Sequence, residues 1–147
     1  MTTTDRQSTN EVTAKRRILH TMLRVGDMQA SIDFYTRALG MSLIRQFDNP
    51  EKEYQLTFMG FGPEERNTVI ELTYNYGVSH YEKGRVFGHI AIGVDDCAKA
   101  CEQVRDCQGA VVREPGPLEG GEEFIAFVQD PDGNLIEFIQ RSADWFL

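Results

Sequence analysis

Apolar and polar positions alternate along His20 to Val25 and again along His89 to Val94, the two-residue period of a half-buried strand. After each such segment the period changes. Ile32, Tyr35 and Leu39 recur at helical spacing, as do Cys97, Cys101 and Val104. Asp27 and Asp96 precede these stretches as N-caps, and Gly40 and Gly109 follow them as C′ glycines. Further strands are predicted over Ser42 to Gln46, Tyr54 to Met59 and Thr68 to Asn75, then over Ala110 to Glu114, Glu123 to Val128 and Asn134 to Gln140. Gly60-Phe61-Gly62-Pro63 and Asp130-Pro131-Asp132-Gly133 mark the turns before each last strand. The order is β-α-β-β-β, twice.

The two halves are copies of one another. Laying His20 on His89 puts Val25 on Val94, Asp27 on Asp96, Gly40 on Gly109 and Phe58 on Phe127. After a small deletion in the second copy, Ile70-Glu71 meets Ile136-Glu137. A tandem duplication predicts an α+β chain with a polar, disordered tail over 1–16, a first βαβββ module over 17–78 and a connector over 79–86. The second module covers 87–141, and an apolar tail covers 142–147.

Composition narrows the function classes. At 147 residues with 41% hydrophobic and 26% charged positions, the chain has the make-up of a soluble globular protein. A formal charge of −8 argues against nucleic-acid and anionic-membrane partners. Met1 to Lys15 has no apolar centre, so no secretory signal is expected, and Asp5 and Glu11 speak against a transit peptide. Cys97, Cys101 and Cys107 form an odd, clustered set that suits a reducing cytoplasm and reads as thiols on one helix face more readily than as metal ligands.

The duplication also doubles a chemical pair. Alternation places His20, Met22 and Arg24 on one face of the first strand, and Glu71, Thr73 and Asn75 on one face of the last strand of that module. His89 and Glu137 take the equivalent places in the second copy. If the copies face one another, two imidazoles and two carboxylates converge, a ligand set for Zn²⁺, Ni²⁺, Co²⁺ or Mn²⁺. Four protein ligands leave room for water only in an octahedral site, which favours nickel or cobalt over closed tetrahedral zinc. The alternative, unrelated polar residues on exposed strands, would suit a lone histidine better than a pair recurring in both copies. His80, in the polar connector, reads as a surface residue.

From these residues the chain resembles the vicinal-oxygen-chelate superfamily, and within it the short bacterial type of the glyoxalase I family. The resemblance runs from Arg17 to Arg141 through Leu19-His20-Thr21-Met22-Leu23-Arg24-Val25-Gly26-Asp27, Ser31-Ile32-Asp33-Phe34-Tyr35, Leu39-Gly40-Met41, Val69-Ile70-Glu71-Leu72-Thr73-Tyr74-Asn75, Gly88-His89-Ile90-Ala91 and Asp130-Pro131-Asp132-Gly133. It implies a metal-dependent lyase that isomerises the hemithioacetal of methylglyoxal and glutathione to S-lactoylglutathione through an enediolate. His20, Glu71, His89 and Glu137 would be the metal ligands, in sites shared across a homodimer. The short segments between ligands resemble the nickel- or cobalt-activated class, with zinc as the other possibility. Glu137 would be the catalytic base, with Glu71 as the symmetrical alternative. Arg24 and Asn75 match positions that bind the γ-glutamyl part of glutathione, and Arg85 matches an arginine of some members.

Two features depart from that pattern. A basic residue is expected in the loop before the penultimate strand, where this chain has Glu119, Glu122 and Glu123. That loop is either a solvated acidic turn or a sign of weakened glutathione affinity or of a preference for a cationic thiol such as trypanothione. The terminal Trp145-Phe146-Leu147 is expected to dock on its own dimer. Other members of the superfamily fit these residues less well. Extradiol dioxygenases need only one carboxylate on iron, methylmalonyl-CoA epimerases take a CoA thioester, and drug-binding members need no metal.

Overall fold

A computed structural model describes residues 15–146. The tail expected over 1–16 lies outside them except for its last two residues. The elements run β1 His20–Arg24, α1 Met28–Asp33, β2 Ser42–Asn49, β3 Tyr54–Gly60, β4 Val69–Asn75, β5 His89–Val94, α2 Cys97–Asp106, β6 Ala110–Pro117, β7 Phe124–Gln129 and β8 Leu135–Gln140. They build two four-stranded sheets, ordered β1-β4-β3-β2 and β5-β8-β7-β6. In each sheet the first strand pairs parallel to the last and the other pairs are antiparallel. This is the duplicated βαβββ architecture that the sequence predicts. Among the described residues no helix is long and apolar enough to cross a membrane.

Both helices start as their sequences dictate. The Asp27 carboxylate accepts a 3.0 Å hydrogen bond from the Ala30 N–H, and Asp96 accepts one of 3.0 Å from the Lys99 N–H. The exits differ. After α1 the chain continues as a π-helical turn over Phe34–Ala38 and leaves through Gly40 at φ +78°. After α2 the left-handed position falls on Gln108, φ +61°, not on Gly109. Gly109 is needed for a different reason. A Cβ there would lie 2.7 Å from Val104 Cγ1 and 3.0 Å from the Val104 carbonyl oxygen.

One core serves both halves. Leu23, Tyr35, Met59 and Leu72 from the first half join Ile92, Cys97, Cys101, Val104, Ile136 and Phe138 from the second in a single buried cluster. Burial raises the Cys97 thiol to about 11 and raises that of Cys101, so both behave as core side chains. The Asp130-Pro131-Asp132-Gly133 turn fastens the halves together. Its Asp132 accepts a 2.9 Å bond from the Gly26 N–H, and its Asp130 accepts one of 2.9 Å from the Tyr35 hydroxyl.

Tyr35 is fully buried, and burial together with the Asp130 carboxylate raises its phenol well above the usual tyrosine value. It stays protonated and donates. Tyr35→Phe is therefore expected to cost about 1–3 kcal/mol, read as a lower urea midpoint at unchanged slope. An unchanged midpoint would show that the bonds from the Asn134 and Asp132 N–H groups (2.8 and 3.0 Å) satisfy Asp130 without it.

Candidate active site

Each sheet holds a His–Glu pair at the same register. On β4, Glu71 lies opposite Met22 of β1, two residues beyond His20; on β8, Glu137 lies opposite Ala91 of β5, two beyond His89. Two residues along a strand return to the same face, so each histidine reaches diagonally to its glutamate. His20 Nε2 is 2.8 Å from Glu71 Oε2, and His89 Nε2 is 3.7 Å from Glu137 Oε1. The imidazole side chains are 38% and 42% exposed and the carboxylates 15% and 14%, so both pairs open towards the same kind of accessible sheet face.

A phenylalanine completes each arrangement. Phe58 of β3 lies opposite Glu71, and Phe127 of β7 lies opposite Glu137. Their rings meet the histidines edge to face, at 5.7 Å and 80° for His20 and 5.4 Å and 82° for His89. The repeat marked both phenylalanines in the sequence only as alignment anchors. Their work in setting the imidazole planes depends on cross-strand register, which the sequence does not display. In the first half Arg45 also stacks 3.7 Å above Phe58 while pairing with Glu64. In the second half Arg113 takes the same register place opposite Phe127, but it donates to the backbone carbonyls of Ile125 and Pro117.

Within one chain the two pairs do not meet. Among the described residues no three His, Cys, Asp or Glu side chains are grouped closely enough to hold a metal ion. The single chain therefore presents two half-sites, each with one imidazole nitrogen and one carboxylate oxygen. As donors they suit a borderline dication, and two half-sites together would supply four ligands with a balancing charge.

Residues 17–138 match the family model of the Glyoxalase/Bleomycin resistance protein/Dioxygenase superfamily. The chain belongs to this superfamily. Its relatives include a lactoylglutathione lyase of Escherichia coli O157:H7, 60% identical over 125 residues that cover 85% of this chain and 93% of the relative. The crystal structure of glyoxalase I from Zea mays superposes with a TM-score of 0.84 at 50% identity. That match covers 86% of this chain but 45% of the maize chain, so this chain spans just under half of the maize protein's length. A trypanothione-dependent glyoxalase I of Leishmania major matches with a TM-score of 0.75 at 48% identity, over 85% of this chain and 86% of its own.

The other candidate residues of this superfamily member lie at different distances from the half-sites. Arg24 ends β1 on the His20 face and lines a cavity of about 560 Å³ walled by the connector. Asn75 ends β4, and its Nδ2 donates a 3.0 Å hydrogen bond to the Tyr81 hydroxyl. Arg85 is exposed and does not line that cavity. Tyr81 was missed in the sequence, where only its aromatic character in a polar connector marks it. In the acidic loop Glu123 is not a free charge. Arg141 donates a 2.8 Å bond to it and holds its carboxyl below the usual range. Arg141 also lies 4.7 Å over Trp145 in the 3₁₀ turn Ala143–Phe146, whose Trp145 and Phe146 stay exposed.

Proposed function

We propose that this chain is a lactoylglutathione lyase, isomerising the hemithioacetal of methylglyoxal and glutathione to S-lactoylglutathione in the cytoplasm. The observation that carries this is the His–Glu pair repeated at one register in both sheets, in a chain 60% identical to a lactoylglutathione lyase. Two copies of the chain form a homodimer. His20 and Glu71 of one protomer and His89 and Glu137 of its partner complete each of two metal sites.

A dication held there, nickel or cobalt in preference to zinc, supplies electrostatic stabilisation for negative charge developing on the substrate oxygens. The remaining chemistry belongs to side chains. Glu137 takes the proton from the carbon that bears sulfur and returns it to the neighbouring carbon, so the reaction is an isomerisation with no external redox partner. Arg24 and Asn75 hold the γ-glutamyl end of the thiol, about 13 Å along the strands from the ligand histidine and glutamate at the strand rise.

The test is thioester formation by metal-stripped protein, reloaded separately with Ni²⁺, Co²⁺ and Zn²⁺ and offered methylglyoxal with glutathione or trypanothione. High activity with nickel or cobalt, little with zinc, and glutathione at least equal to trypanothione is the expected result. Activity with zinc alone would overturn the metal assignment, and preference for trypanothione would give Glu119 and Glu122 a role in selectivity. No turnover with any metal or thiol would overturn the function.

A further inference from the structure

The connector between the halves is held in place by three contacts that no repeat correspondence foretells. A Cβ on Gly26 would run into the Ser79 carbonyl oxygen, so the connector passes directly over the end of β1. Lys83 Nζ donates to the Asp132 carbonyl in the turn that joins the two halves. Between these points Tyr81, half-buried, accepts the Asn75 hydrogen bond. The segment so fixed forms a wall of the 560 Å³ cavity into which Arg24 faces.

We propose that Tyr81 is a positioning residue for thiol selectivity, holding Asn75 so that its amide carbonyl and the Arg24 guanidinium together receive an α-amino-acid end group. The proposal rests on the lyase reading above and adds a residue to it. An asparagine side chain has two amide hydrogens and one carbonyl oxygen to place. With Nδ2 committed to Tyr81, Oδ1 is left to accept, the polarity that an ammonium group requires. Arg24 supplies the planar donor fork for the carboxylate of that end group. A zwitterionic head therefore meets an acceptor for its ammonium and donors for its carboxylate. Without the Tyr81 contact Asn75 is free to rotate, and ordering it is left to the substrate.

The experiment compares wild type, Tyr81→Phe, Asn75→Ala and the double variant with the hemithioacetals of glutathione and of cysteinylglycine, which lacks the γ-glutamyl group. Phenylalanine keeps the ring in the connector, and melting curves check that the variants remain folded. Tyr81→Phe is expected to raise KM for the glutathione adduct roughly fivefold to tenfold, with kcat nearly constant, the scale of one lost hydrogen bond. It should leave the cysteinylglycine adduct unaffected, and in the Asn75→Ala background it should add nothing, because the two act through one contact. An unchanged KM for glutathione, an equal rise for both thiols, or full additivity would each overturn the inference while leaving the lyase reading intact. Failure of the wild type to turn over the glutathione adduct would overturn the lyase reading first, and this inference with it.

Discussion

A chain carrying His20→Ala and Glu71→Ala, mixed with one carrying His89→Ala and Glu137→Ala, is expected to regain activity that neither has alone. Each variant by itself lacks one half of every site. After subunit exchange, a mixed dimer has one site built from two damaged halves and one built from two intact halves. About half of the dimers are mixed at random reassortment and each carries one good site of two, so the mixture should reach about a quarter of the wild-type rate. The metal content should recover in the same proportion. The reason to expect this is that one chain does not bring its two pairs together. The pairs occupy two separate sheets that share a core through their opposite faces. Sites completed within a single chain would give no rescue on mixing, and that result would refute subunit sharing.

Glu137→Gln should lower kcat by roughly 10²–10⁴-fold, the usual scale for losing a general base, while metal stays bound near its wild-type stoichiometry. Glutamine keeps a carbonyl oxygen and the other three ligands are untouched, so binding and turnover separate. Two asymmetries favour Glu137 over Glu71 as the base. Glu137 lies 3.7 Å from its histidine against 2.8 Å for Glu71, the looser of the two pairings. The first half-site also carries Arg45 over Phe58, its guanidinium pKa raised chiefly by the bond to Glu64 and, least of the causes, by the nearby Glu71 carboxylate. The second half has Arg113 at the matching register, opposite Phe127, but its guanidinium donates to the carbonyls of Ile125 and Pro117 instead. Kinetics on the fully loaded Glu137→Gln and Glu71→Gln variants decide between them. Near-normal turnover by Glu137→Gln would remove it from the role.

Trp145 lies against the Arg141 guanidinium, which Glu123 holds from the other side, and its exposed ring with that of Phe146 is the surface expected to dock on the dimer. The same contact changes the meaning of the acidic loop, because one of its three glutamates is already paired. Neither relation follows from spacing. Glu123 and Arg141 meet only because β7 and β8 lie side by side, and a cation near an indole ring is a tertiary accident of the strand ends.

Local patterns along the chain are enough to read the duplicated β-α-β-β-β order, the aspartate caps and the placing of His20, Glu71, His89 and Glu137 on strand faces. These follow from local rules: a strand repeats its faces every two residues, and a carboxylate before a helix satisfies free N–H groups. The sequence also identified Gly40 as a helix exit, but it misassigned Gly109, since a close approach to Val104 leaves the same mark as a left-handed turn. Tertiary structure alone decided the diagonal His–Glu reach, the phenylalanines that orient each imidazole, the Tyr35–Asp130 fastening and the Tyr81–Asn75 contact. Each of these joins residues on different elements, so it depends on strand register and on how the two halves pack. Those are properties of the shared core, and no periodicity within one segment encodes them.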